Sequence, residues 1–151
     1  MKTRFLPDTS CIVAAVSGWH EDHEAARGEI ERRLSSEEEL VSAAPALIEA
    51  YAVLTRLPAP HRLAPPDALD IIEAGFIARR RVVALGHRDY VQLLRDSPAR
   101  GVLGGRSYDA VIAECARLAR ATVLLTFNDA HFRQWQTDQL AIVVPAARAR
   151  S

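Results

Sequence analysis

Four carboxylates, Asp8, Glu49, Asp109 and Asp129, stand far apart in this 151-residue chain, each among apolar or turn-forming neighbours rather than in a run of surface charge. Acids dispersed in this way can be gathered by folding into one divalent-metal site. Asp8 closes the run Phe5-Leu6-Pro7, and Glu49 is the sole acid between Pro45 and Leu57. Asp109 opens a helical pattern whose same-face residues Ile112, Ala113 and Ala116 are apolar, and Asp129 follows Thr122-Val123-Leu124-Leu125-Thr126. A carboxylate aimed at a core is costly unless positive charge meets it. No buried Lys or Arg offers itself, which leaves a hard cation as the natural partner.

Each acid also has a plainer explanation. Asp8 can cap a helix, Asp109 can complement a helix dipole for ~0.3–1 kcal/mol, and Asp129 can cap the short helix after Asn128. Glu49 breaks the tie, because a mid-helix acid on an apolar helix is neither cap nor turn residue, and a Glu is seldom buried without a partner. The expectation is therefore a Glu49 aimed inward.

The elements that must position these acids alternate. Residues 3–7, 40–43, 82–85, 122–126 and 141–144 read as strands; residues 9–17, 21–34, Pro45 to before Pro58, about 65–80, 89–95, 107–120 and 130–136 read as helices. Strands separated by helices favour a parallel sheet covered on both faces, with ligands gathered at the carboxyl ends of the strands where strand order reverses. Asp8 and Asp129 both lie just past strand ends.

Composition narrows the function classes. Formal net charge is zero, which argues against a generally sticky nucleic-acid binder, yet residues 1–75 hold 7 Lys/Arg against 13 Asp/Glu and residues 76–151 hold 12 against 6. Such a split can make a basic face, with Arg79, Arg80, Arg81, Arg88, Arg95, Arg100 and Arg106 as its main contributors. Cys11 and Cys115 fall in apolar helical stretches and read as buried, reduced core residues. Neither a membrane span nor a signal peptide is legible, so a cytoplasmic protein is expected. His20-Glu21-Asp22-His23-Glu24 lacks metalloprotease spacing and reads as a solvated helix start, and Gly101 to Gly105 lacks a P-loop ending.

Taken together, four stretches resemble the PIN-domain ribonucleases, in particular VapC-type toxins of bacterial type II toxin-antitoxin systems. Pro7-Asp8-Thr9-Ser10, the helix Ala46 to Arg56 around Glu49, Gly104 to Ala110 around Asp109, and Leu124 to Phe132 are similar to the family's successive acidic motifs, in order, over residues 3 to about 144. The resemblance implies one PIN-like three-layer α/β/α domain over residues 1–151, with a central, mainly parallel sheet of four to five strands and residues 146–151 as a tail. It implies that Asp8, Glu49 and Asp109 are catalytic, metal-binding acids. The family's fourth slot falls on Asn128, with Asp129 one residue later, and which of the two fills it stays open.

The implied activity is that of a Mg²⁺- or Mn²⁺-dependent endoribonuclease toxin, hydrolysing RNA phosphodiester bonds by metal-activated water. Magnesium takes oxygen ligands and keeps several waters, so the acids suit it. Acids crowded without an ion are expected to raise one another's pKa. Thr9 and Ser10 are candidates to position a water or a phosphate oxygen, and Arg106, Arg79, Arg80 and Arg81 to hold RNA. The resemblance further implies a homodimer and a cognate VapB-type antitoxin lying across the active-site groove, for which Leu54, Leu57, Phe76 and Ile77 could supply an apolar bed or equally be core residues. The alternative is a catalytically inactive PIN-like binding or scaffold domain; a phosphatase is disfavoured because no Asp-x-Asp pair follows the first strand.

Overall fold

In the computed structural model, which describes residues 2–146, strand β1 (Arg4–Pro7) is buried along Phe5-Leu6-Pro7 and lies at the centre of a five-stranded sheet. An apolar strand without polar alternation must be covered on both faces, and the central position does this. The order is β3 (Arg81–Val83), β2 (Glu39–Ala43), β1, β4 (Val123–Leu125), β5 (Ala141–Val143), and every pairing is parallel. The result is the three-layer α/β/α architecture expected from the alternation of elements. The tail expected at residues 146–151 lies, Ala146 apart, outside the described residues.

Strand order reverses between β1 and β4. The chain runs outward from β1 through β2 to β3, then returns to the other side of β1 for β4 and β5. Phe5, Leu6 and Pro7 stand in register with Val123, Leu124 and Leu125. Pro7 has no N–H to give, and the Asp8 N–H continues the ladder by donating to the Leu125 carbonyl at 2.9 Å. The first acid is thus tied to the end of β4.

The helices are α1 (Thr9–Val16), α2 (His23–Ser35), α3 (Ala44–Arg56), α4 (Pro65–Ile72), α5 (His87–Asp96), α6 (Arg106–Leu118) and α7 (Asp129–Phe132). Pro45 sits in the first turn of α3, where its missing donor is harmless. α1 packs on α2 and α3, α3 on α4, and α6 on α5 and α7, while α3 also meets α6. Cys11 and Cys115 are buried free thiols, and burial pushes the Cys115 thiol up to about 11. Among the described residues no helix is long and apolar enough to cross a membrane.

The helix expected to run to Arg80 ends sooner. α4 passes at Glu73 into a wider π-helical turn, Glu73–Ile77, which contains Gly75, and Arg79 takes a left-handed φ of 62° that no helix continues through. That turn is fastened to the sheet by the buried Ser42, whose hydroxyl donates to the Phe76 carbonyl at 2.7 Å. Ser42→Ala strands that carbonyl without a donor, and is expected to lower the unfolding free energy by about 1–3 kcal/mol in urea titrations at unchanged m-value.

Candidate metal centre

Asp8 is buried, 2% exposed, at the switch point between β1 and β4, and each of its oxygens has partners. Oδ1 accepts from the Cys11 N–H at 3.0 Å and from the Ser10 hydroxyl at 2.6 Å; Oδ2 accepts from the Thr126 hydroxyl at 2.6 Å. Asp8 is therefore the N-cap of α1 and part of a cavity wall together, so capping does not withdraw it from the candidate site. The same hydroxyls reach onward. Ser10 accepts from the Phe127 N–H at 3.1 Å and Thr126 from the Asn128 N–H at 2.8 Å, which fixes the turn after β4.

A cavity of about 440 Å³ opens over this point, and Asp8, Glu49, Asp109 and Asn128 line it together with Thr9 and Ser10. Three of the four expected acids are thus brought together. Glu49 departs from expectation: it is exposed, not aimed into the core. The apolar face of α3 is carried by Ala46, Leu47, Ala50 and Leu54, which leaves Glu49 on the opposite side, where it faces the cavity. The Thr9 hydroxyl donates to Glu49 Oε2 at 2.9 Å and steadies it. Asp109 stands in the first turn of α6, half-buried, with its Oδ2 3.5 Å from His131 Nδ1 of α7.

Asp129 is not brought to the cavity. Its carboxylate takes a 2.8 Å hydrogen bond from Arg133 one turn on, which holds it below the usual carboxylate range, while Asn128 lines the cavity instead. Thr9 and Ser10 spend their hydroxyls on holding the acids, not on open solvent. The arginines divide as well. Arg106 lies at the start of α6, close enough to lower the pKa of Asp109. Arg79–Arg81 lie at the amino end of β3, at the opposite end of the sheet from the acids; Arg80 donates to the Gly75 carbonyl and Arg81 pairs with Glu39 at 3.4 Å. The proposed apolar bed is also corrected: Leu54 and Phe76 are buried, and Leu57 and Ile77 pack against the core. Exposed apolar surface near Glu49 comes from its helix neighbours Ile48 and Tyr51.

Several residues at or beside the cavity stand outside the expected set. Thr126 reads as a strand residue, yet it is fully buried and donates to Asp8; a hydroxyl directly after Leu124-Leu125 was the available signal. His131 reads as a residue near the site, able to touch RNA but more in keeping with a surface role, and the structure sets it beside Asp109. His20, Glu21 and Asp22 line the same cavity, although nothing in their spacing links them to it.

Burial pushes the carboxyls of Asp8 and Asp109 up from their ordinary value; for Asp109 the neighbouring Asp8 and Glu49 charges add to the rise, while His131 and Arg106 oppose it. The direction is the one expected of crowded acids, but desolvation is the larger cause. Among the described residues no three His, Cys, Asp or Glu side chains are close enough to cage an ion by themselves. The donor set still fits a hard hydrated cation. Every cavity acid offers oxygen, and magnesium is held by one or two carboxylates with waters and substrate phosphate completing the shell.

Residues 5–136 match the PIN domain family. The chain belongs to the PIN-domain family. Within it, Ribonuclease VapC40 of Mycobacterium tuberculosis is 38% identical over 122 residues, covering 78% of this chain and 82% of that protein. Ribonuclease VapC27 of the same organism is 34% identical over 121 residues, covering 80% and 82%. These make the chain a VapC-type PIN domain. The crystal structure of DNA-bound VapBC from Salmonella typhimurium superposes with a TM-score of 0.66 at 22% identity, over 95% of this chain and 99% of that one, and shows that the fold is shared.

The raised carboxyls of this PIN domain carry a stability consequence. The folded chain holds the Asp8 and Asp109 protons more tightly than the unfolded chain does. Ionisation therefore subtracts stability as pH rises from the unfolded carboxylate value of about 4 through the folded value, and the loss is complete above it. Asp109→Asn is expected to raise the melting temperature of metal-free protein at pH 7, with the advantage shrinking toward pH 4 and as Mg²⁺ stabilises the parent. A lower melting temperature for metal-free Asp109→Asn at pH 7 would contradict an electrostatically strained centre.

Proposed function

We propose that this protein is a Mg²⁺- or Mn²⁺-dependent endoribonuclease toxin that hydrolyses RNA phosphodiester bonds. The observation that carries the reading is the convergence of Asp8, Glu49 and Asp109 on one cavity at the sheet's switch point, in a chain whose VapC-type relatives are ribonucleases. A bound divalent ion supplies positive charge against the scissile phosphate and lowers the pKa of an attacking water. The chain's own residues do the rest. Asp8, Glu49 and Asp109 would hold the hydrated ion between them, directly or through its waters, with the Asn128 carbonyl oxygen as a neutral fourth donor. Ser10, Thr126 and Thr9 fix the first two acids, and Arg106 meets the RNA backbone at the cavity's edge.

Single-stranded or looped RNA suits such a cavity better than a duplex, whose deep major groove side chains cannot read. As an RNA-directed toxin the protein would act in the cytoplasm and be restrained by a VapB-type antitoxin, the kind of complex in which the similar Salmonella protein was solved. Exposed Ile48 and Tyr51, flanking Glu49, offer that antitoxin an apolar contact next to the acids. A homodimer is part of the same reading. The competing scaffold role predicts intact partner binding with no metal-dependent cleavage.

Asp8→Asn, Glu49→Gln and Asp109→Asn are each expected to abolish cleavage and growth inhibition with the fold retained. Thr126→Val, which removes a donor to Asp8, is expected to lower metal affinity or activity by roughly 10–100-fold. Mg²⁺ titrations of cleavage and isothermal Mn²⁺ binding measure both. Unaltered cleavage by the Asp8 and Asp109 variants, with contaminating nuclease excluded, would overturn the reading.

The arginines give a second test. For single strands, log affinity falls with log salt at a slope of about −0.7 per phosphate contacted. Arg106→Ala is expected to weaken binding and flatten that slope. The Arg79/Arg80/Arg81 triple alanine should leave the slope unchanged and instead lower the melting temperature, because Arg80 and Arg81 hold the start of β3. A flattened slope in the triple variant would place RNA on the far end of the sheet.

A further inference from the structure

Trp19 takes no part in the chemistry above, although it immediately precedes His20, Glu21 and Asp22, which line the acidic cavity. Its indole stacks on His61 of the α3–α4 loop, with ring centroids 4.2 Å apart and planes 24° from parallel, and meets the His20 ring at 5.6 Å and 42°. One indole face is covered by His61, yet Trp19 remains 48% exposed. With His61 stacked on it and His20 tilted against it, about half of the Trp19 surface still remains open to solvent. Tryptophan supplies a large apolar contact area with one polar end, which suits it to interfaces that are part apolar and part wet.

The loop does not need Trp19 to keep its shape. The His20 N–H donates to the Ser17 carbonyl at 3.0 Å, the His23 N–H to the His20 carbonyl at 3.0 Å, and the Asp22 N–H to His20 Nδ1 at 3.0 Å, while His23 Nδ1 lies 2.9 Å from the Ala14 carbonyl. His20 and His23, whose spacing excluded a metalloprotease motif, are thus spent on building a firm loop. An aromatic ring held on such a loop by a second ring behind it is pre-organised for a flat ligand. Glu21 and Asp22 next to it repel phosphate, so the part of a nucleic acid that fits there is an uncharged base and not the backbone.

We propose that Trp19, backed by His61, is a stacking platform for an unpaired RNA base adjoining the phosphate that enters the acidic cavity. The inference rests on the ribonuclease reading and adds a substrate-positioning residue to it. Every base has a π-face, and stacking on aromatic side chains is the common way proteins hold splayed-out bases.

The test uses full-length protein carrying Asp109→Asn to stop turnover and Trp135→Phe so that fluorescence reports Trp19 alone. The probes are oligouridylate and oligoadenylate of about a dozen nucleotides, within the range of single-strand site sizes, and an abasic ribose-phosphate chain of equal length. Both base-bearing strands are expected to quench Trp19, and the abasic chain is not. Trp19→Ala, followed by anisotropy of labelled strands, is expected to weaken base-bearing strands by roughly 5- to 150-fold while abasic affinity stays within about twofold. Trp19→Phe should recover much of the loss, and His61→Ala should give a smaller loss in the same direction. Equal losses for base-bearing and abasic strands, or quenching by an antitoxin but by no RNA, would overturn the platform. Cleavage of RNA by the parent is followed in parallel: cleavage without a base-dependent Trp19 effect defeats this inference alone, whereas no metal-dependent cleavage defeats the reading beneath it.

Discussion

The buried carboxylate of Asp8 is the interaction on which the rest of the centre depends. It caps α1 through the Cys11 N–H, joins the chain's first strand to β4 through Thr126, and recruits Ser10 to the same task. Hydrogen bonds to a charged group contribute about 1.5–3 kcal/mol each and offset part of the cost of removing the carboxylate from water, though burial still outweighs them and leaves the Asp8 carboxyl raised. The two hydroxyls that satisfy Asp8 also accept from the Phe127 and Asn128 N–H groups. One side chain thereby sets the first helix, the central strand pair and the turn carrying Asn128. Losing Thr126 or Ser10 disturbs the acid and the turn together.

Most of the fold was legible because its strands and helices differ in the physics that sequence displays. Val123-Leu124-Leu125 and Phe5-Leu6-Pro7 are continuous apolar runs bounded by polar residues, and a parallel sheet buried on both faces is what such runs require. The site was legible in membership more than in posture. Asp8, Glu49 and Asp109 do converge, but Glu49 was singled out as buried and is instead exposed on the cavity side of α3. Mid-helix position gives the face of a residue only once the buried stripe is known, and the stripe Ala46-Leu47-Ala50-Leu54 excludes Glu49.

The misplaced residues share a cause. Arg79–Arg81 look like a basic patch in one dimension, yet the chain direction of β3 puts them at the end of the sheet away from the acids. Strand polarity relative to the site follows from topology, and topology is not written in a charge run. Leu54 and Phe76 were available as a groove only while the order of helix packing was unknown; α3 packs on α4 and buries Leu54, and Ser42 draws the turn bearing Phe76 onto the sheet. Asp129 could not be separated from Asn128 by position alone, because adjacent residues entering a short helix point to different sides. The ion pair with Arg133 takes Asp129 away from the cavity.

The charge split between the two halves of the chain acquires a physical meaning at this cavity. Its lining includes Asp8, Glu21, Asp22, Glu49 and Asp109, four of them from the acidic half. A phosphodiester approaching such a wall is repelled, and at an effective dielectric near 20 each unit charge at ~4 Å weighs about 4 kcal/mol against it. Arg106 alone does not balance that. On the proposed ribonuclease reading, favourable entry of RNA would require positive charge inside the cavity first; substrate affinity and divalent-ion affinity would then be two aspects of one electrostatic condition, each strengthening the other by the same factor. A wall of like charges is also one that a cationic side chain can neutralise in place of an ion, so on the same reading the repulsion among these acids would be the natural handle for inhibition by a protein partner.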